Sequence, residues 1–149
     1  MARLSEKYLA SDQMDYRYKK ADDDIINRST DALKGIAVAI KAAATAGKKT
    51  NLPVVGKVTS ATGQVVIGAL TSIGLNTCNV VKCGRFVLQA NGTGVAADVG
   101  KTVIGVASAA APGKVDSGAV AKKGEIVIVG YDNDTSTDGI GHHYLCEIL

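Results

Sequence analysis

Beyond Pro53 the chain falls into short runs of β-branched and aliphatic residues, cut apart by Gly, Asn and Asp. The clearest runs are Val54–Thr59, Val65–Leu70, Arg85–Ala90, Thr102–Ala107, Glu125–Tyr131 and Tyr144–Ile148. Weaker ones lie near Cys78–Val81 and Ala119–Ala121. Each has the length and composition of a strand. The breaks carry turn chemistry: Ala61-Thr62-Gly63, Asn91-Gly92-Thr93-Gly94, Pro112-Gly113 and the polar stretch Asp132–Gly139. Many short strands at this spacing predict a mainly β domain, a small β-barrel or a sandwich. The helix-sized gaps that parallel βαβ units need are missing. No internal repeat of fixed period appears.

Before Pro53 the pattern is different. Segment 31–46 predicts one short helix, with Ser29 or Thr30 as its cap and Gly47 at its end. Ile36, Ile40 and Ala43–Ala44 follow helical spacing. Ile36, Val38 and Ile40 also alternate, which is the rival strand pattern. The alanine content favours the helix. Residues 1–34 hold seven basic and seven acidic residues, three of the five Tyr and no Gly. Their apolar positions are too sparse to offset chain entropy alone, so an extended N-terminal arm is expected. Within it Leu4, Tyr8 and Leu9 share a helical face, and Asp22-Asp23-Asp24 suits a helix start. The expected organisation is an arm (1–34), a helix and linker (35–52) and a β domain (53–149).

Composition narrows the function classes. The chain has 149 residues, 46% of them hydrophobic and 21% charged, which is a folded-domain balance. With one Phe and no Trp, a large aromatic ligand pocket is not expected. The net charge of +3 is too weak to imply nucleic acid. Three Cys do not make a disulfide scaffold. The opening residues lack the apolar core of a signal peptide, and no run reaches membrane-spanning length. A soluble product of the cytoplasm with reduced thiols is expected, so the sequons at Asn27, Asn91 and Asn133 carry no weight.

Four sets of residues invite chemistry. Gly92-Thr93-Gly94-Val95-Ala96-Ala97 matches a dinucleotide-binding turn after a strand. The helix it requires would contain Gly100, Gly105 and several β-branched residues, so a Gly-rich turn is expected instead. Asp132–Gly139 places oxygen side chains at alternate positions, as a calcium loop does. Its sixth and twelfth positions are Thr137 and His143, where such a loop wants Gly and a carboxylate. Cys78, Cys83, His142, His143 and Cys146 are zinc-type donors, but their spacing matches no half-site. No nucleophile elbow and no carboxylate pair point to catalysis. Neither a metal nor a cofactor is expected. The fourth set is Tyr16-Arg17-Tyr18-Lys19-Lys20. Interleaved aromatics and cations can stack on single-stranded nucleic acid. The flanking Asp12, Asp15 and Asp22–Asp24 repel phosphate, and Tyr with Arg suits a protein surface.

The stretch Arg85–Ala107 runs strand, Gly-rich turn, Asp98-Val99-Gly100, then Val103-Ile104-Gly105-Val106-Ala107. With the later Gly124–Gly130 it resembles small β-rich proteins of tailed-phage heads, the capsid decoration (cement, or head-stabilising) proteins. The resemblance covers about residues 52–149 and is one of motif order, in Gly, Val and Ala. It implies a β-barrel or β-tulip-like body and a homotrimer on the outer capsid surface. It also implies binding after shell expansion, bridging of neighbouring major capsid protein subunits, and no catalytic residue. An N-terminal segment often anchors such proteins. Leu4, Tyr8, Tyr16, Arg17, Tyr18, Lys19 and Lys20 are then the expected capsid- or partner-binding residues. Neither nucleic acid nor membrane is an expected partner, and the virion surface is the expected location. A head fibre base, a tail component and a small Cys/His metal-dependent enzyme are the alternatives.

Overall fold

A computed structural model describes residues 15–20, 35–40, 54–60, 62, 64–74, 77–106, 112–133 and 142–149. The protein is mainly β. Ten strands are described: β1 (Asp15–Lys20), β2 (Ala37–Ile40), β3 (Val54–Lys57), β4 (Val66–Ile73) and β5 (Thr77–Val81), then β6 (Arg85–Gln89), β7 (Lys101–Gly105), β8 (Val115–Val120), β9 (Ile126–Asp132) and β10 (His143–Ile148). The one helical piece among the described residues is a single 3-10 turn, Ala96–Asp98.

The strands form two units in sequence order. β1 to β5 form a closed ring in the order β1-β3-β2-β4-β5. Closure depends on β1, which pairs antiparallel with β5 and parallel with β3. The other five strands form a sheet ordered β6-β10-β9-β7-β8. Its two edges meet at one end, where Ala90 bridges Val115 and the Asn91 amide donates to the Val115 carbonyl at 2.9 Å.

Alternating side chains divide the interior into two cores, as the period of a strand requires. Inside the ring lie Tyr18, Ile36, Val38, Val55, Leu70, Cys78 and Val80, contributed by all five ring strands and the lead into β2. Ala37, Ala39, Ala69 and Val81 of the ring point the other way. They pack on Phe86, Leu88, Ile126, Ile128, Tyr144 and Cys146 of the second sheet. Phe86, Leu88 and Ile128 are fully buried there. Each such side chain contributes roughly 1.5–3 kcal/mol relative to exposure.

Eight predicted runs become strands. Two expectations need correction. Residues 37–40, placed in a helix, are β2. Ala37, Val38 and Ala39 are wholly buried because β2 faces both cores. Alanine there reflects lack of room between two units, and tertiary packing overrides its helix preference. The rest of segment 31–46 lies outside the described residues. The arm is also not a unit apart, since residues 15–20 form a stave of the ring.

Gly35 holds the two units in register. Its φ of +77° lies in the left-handed region. Its carbonyl accepts from the Gln89 amide of β6 at 2.8 Å. A methyl at this position would sit 3.1 Å from the Val87 carbonyl oxygen. A Gly35→Ala variant is expected to lose about 2 kcal/mol or more, from the left-handed backbone and crowding together. Gly92→Ala, whose added methyl meets nothing within 4 Å, should stay within about 0.5 kcal/mol of wild type. Urea unfolding of both checks the contrast.

Candidate functional site

Three places bear on function: the N-terminal strand, the segment between β6 and β7, and a groove between the two units. The first holds the predicted binding residues. Leu4 and Tyr8 lie outside the described residues. Tyr16, Arg17 and Lys19 stand opposite Val80, Asn79 and Thr77 of β5, and Lys20 is opposite Val55 of β3. Tyr18 is 6% exposed and belongs to the ring core. The Lys82 ammonium lies 5.4 Å from the centre of its ring, within cation–π range. Tyr18 is thus a core residue and not a surface anchor. The pattern of β1 explains this, because successive side chains on a strand face opposite sides.

The second place is the stretch that matched a dinucleotide turn. No helix follows it; the chain makes the 3-10 turn and enters β7. The glycine at 94 has a packing reason. A methyl there would lie 2.7 Å from Cβ of Tyr131. Asn133 clasps the same residue from the side: the Gly94 amide donates to its Oδ1 at 2.8 Å, and its Nδ2 donates to the Gly94 carbonyl at 2.9 Å. Asn133, in the polar stretch compared with a calcium loop, is therefore a structural clasp. Residues 134–141 of that loop lie outside the described residues.

Asp98 is a buried, fully engaged polar group beside the second sheet. It is 7% exposed, and its carboxylate accepts three hydrogen bonds. The Val95 amide donates at 3.0 Å, the Ser117 hydroxyl at 2.8 Å and the Tyr144 hydroxyl at 2.9 Å. One carboxylate thus ties its own turn to β8 and β10. Burial by itself would raise its pKa. The three donors and the Lys101 charge outweigh burial and hold Asp98 below the ordinary carboxylate value. Tyr144 is pushed up, first by burial and then by the anion it binds. A carboxylate so saturated is suited to holding strands together. Gly105, at the end of the same motif, passes so close to Val58 and the Ser60 carbonyl that any side chain would collide with them. Sequence reading missed the role of Asp98, although the signal is present: it is the sole acid between Asp31 and Asp116.

The zinc-type donors are not brought together. Cys78 lies in the ring core and Cys146 in the core between the units. Cys83 is at the turn between β5 and β6, partly exposed. Burial pushes the Cys146 thiol up, which keeps it protonated. His143 is fully buried on β10, opposite Gln89 and Asp132. Among the described residues no group of three or more His, Cys, Asp or Glu side chains is arranged to hold a metal ion.

The third place is an open groove of about 800 Å³. One wall is Gln64–Ile67 of the ring. The other is built from Thr102–Ile104, Gly124–Ile126 and Ile148 of the second sheet, with Lys82 also at the lining. Val65 at its rim is 76% exposed and Ile148 is 39% exposed. Nothing in the sequence marks this groove, because its walls come from strands that any β domain would have.

No family model, curated protein or solved structure matches this chain.

The Asp98 cluster yields a stability prediction with a sign. Asp98→Asn sets a donor amide against three donors and should cost about 2–3 kcal/mol at pH 7, and Tyr144→Phe about 1–2 kcal/mol. Because the folded pKa is depressed, the stability that the Asp98 charge supplies is present above the unfolded carboxylate value. It is lost as pH falls through the folded value. Urea midpoints should therefore show the gap between wild type and Asp98→Asn narrowing below about pH 4.

Proposed function

We propose that this protein is a non-enzymatic structural component of a virion. In this reading it is a decoration protein that binds the outer surface of an expanded phage capsid and bridges neighbouring subunits of the major capsid protein. The observation that carries the reading is the position of the motif behind the resemblance. Asp98-Val99-Gly100 supplies the tie between turn, β8 and β10, and Val103–Val106 supplies core and close approach. The motif stands in the frame of the β body.

The mechanism is thermodynamic. A protein that binds the expanded shell and not its precursor stabilises the expanded state by mass action. A homotrimer at a symmetric point of the lattice multiplies weak contacts into avidity. The contacts assigned to the N-terminal part are Leu4, Tyr8, Arg17 and Lys19, with Tyr18 as the bolt that roots them in the ring, and Tyr16 and Lys20 on the same strand face as Tyr18. A tether that enters through a closed ring passes load into the five strands of that ring.

Co-sedimentation of the full chain with expanded and unexpanded shells tests this. The expected result is saturable binding to expanded shells alone, weakened roughly tenfold or more by an Arg17→Ala/Lys19→Ala pair. A folded full chain that fails to bind, or that assembles into tubes, overturns the decoration reading.

A further inference from the structure

The turn after β6 opens with Asn91-Gly92, and both residues are exposed. The Asn91 backbone amide pins the turn to the Val115 carbonyl at 2.9 Å. The Asn91 side chain and the Gly92 amide have no hydrogen-bond partner among the described residues. An asparagine side-chain carbonyl carbon can close a five-membered ring with the amide nitrogen of the next residue. Closure needs that nitrogen to be sterically open and not held by another bond. We propose that Asn91 is a self-modification site, which water converts to aspartate and isoaspartate through a ring closed on the Gly92 nitrogen.

The step balances with water as the only co-reactant. The Gly92 nitrogen forms a bond to Cγ of Asn91 and loses its proton to solvent. The bond from Cγ to Nδ2 breaks, and Nδ2 leaves as ammonia with a proton taken from solvent. Water then adds to either carbonyl of the cyclic imide. One opening gives aspartate, and the other gives isoaspartate, whose main chain runs through Cβ and Cγ. Nothing is oxidised or reduced. One carboxylate is gained, so the formal net charge of +3 falls by one.

Access singles out this asparagine. Glycine puts no Cβ beside the attacking nitrogen, and a methyl placed on Gly92 would meet nothing within 4 Å, so the ring has room. The other two described asparagines lack such freedom. Asn79 lies within β5, between Arg17 of β1 and Ser72 of β4, and the β-branched Val80 follows it. Asn133 has both side-chain polar atoms engaged by Gly94, at 2.8 and 2.9 Å.

The product acts on the sheet through that same clasp. The turn is held at one end by the bond from Asn91 to Val115 and at the other by Asn133 on Gly94. Isoaspartate inserts one more main-chain atom between these two pins. The spacing that lets both close is then lost, and the clasp at Gly94 gives way. The chemistry is independent of the capsid reading, since it needs only the chain and water.

The test is incubation of the full chain at neutral pH in water enriched in heavy oxygen, followed by peptide mass mapping. The expected result is one heavy oxygen gained at position 91, in both isomers, with Asn79 and Asn133 unlabelled. Label at those positions and not at 91, or no label, overturns the site. A Gly92→Ala chain keeps the open space around the turn but shields the nitrogen, and should gain label roughly tenfold more slowly or less. Equal labelling of that folded variant overturns the ring-closing route. In the isoaspartate form, separated by charge, the Gly94 amide should exchange roughly tenfold faster than in the unmodified chain. Unchanged exchange there overturns the effect on the clasp.

Discussion

The structure depends on one short buried segment, Gly35 to Ala39. Its backbone bonds to four separate parts of the chain. The Ile36 carbonyl accepts from Leu70, and the Gly35 carbonyl from Gln89. The Ala37 amide donates to Gly113, and its carbonyl accepts from Val58. Ile36 and Val38 face the inside of the ring, while Ala37 and Ala39 face the second sheet. A strand exposed to neither side by water must satisfy every backbone group from its neighbours, because an unpaired buried group costs as much as a lost bond. That need explains why small residues stand here. Larger ones would push the two units apart and break the bonds that fix them.

The second unit repeats the principle with a side chain. Asp98 is a buried anion whose desolvation is offset by three donors from three parts of the sheet. Such a group is costly unless fully paired, and when paired it rewards one arrangement only. The sheet it organises has two edges, and the bridge at Ala90 and Val115 pins them at one end. Asn133 and Gly94 close the neighbouring loop. Of the polar residues that looked like chemistry along the chain, Asn133 is a device of this kind.

The β class and eight of the strands were legible because half-buried strands carry their own period. The ring was harder to read. β1 hides its strand pattern under charge: Asp15, Arg17 and Lys19 alternate with Tyr16 and Tyr18, and the high charge count dominated the reading. β2 is buried on both faces, so its Ala-Val-Ala-Ile lacks the polar alternation that marks a strand. Propensity then pointed to a helix, and only long-range contacts overrule it. The groove was illegible for another reason. A concave site between two units is a property of how they pack, and no local window contains it. Asp98 lies between these cases, since a lone acid in a long stretch without another carboxylate invites a question that spacing rules do not ask.

The ring's closing strand sets an order on how the molecule is made. β1 is the first described strand to leave the ribosome, but its partners are β3, which begins at Val54, and β5, which ends at Val81. Tyr18 therefore waits through the synthesis of some sixty further residues before its core exists. Loop closure over that distance costs entropy that only the finished ring repays. The ring therefore cannot close before β5 has been made. A ring lacking that strand would present two unpaired strand edges, those of β3 and β5, which is the exposure to wrong partners that closure removes.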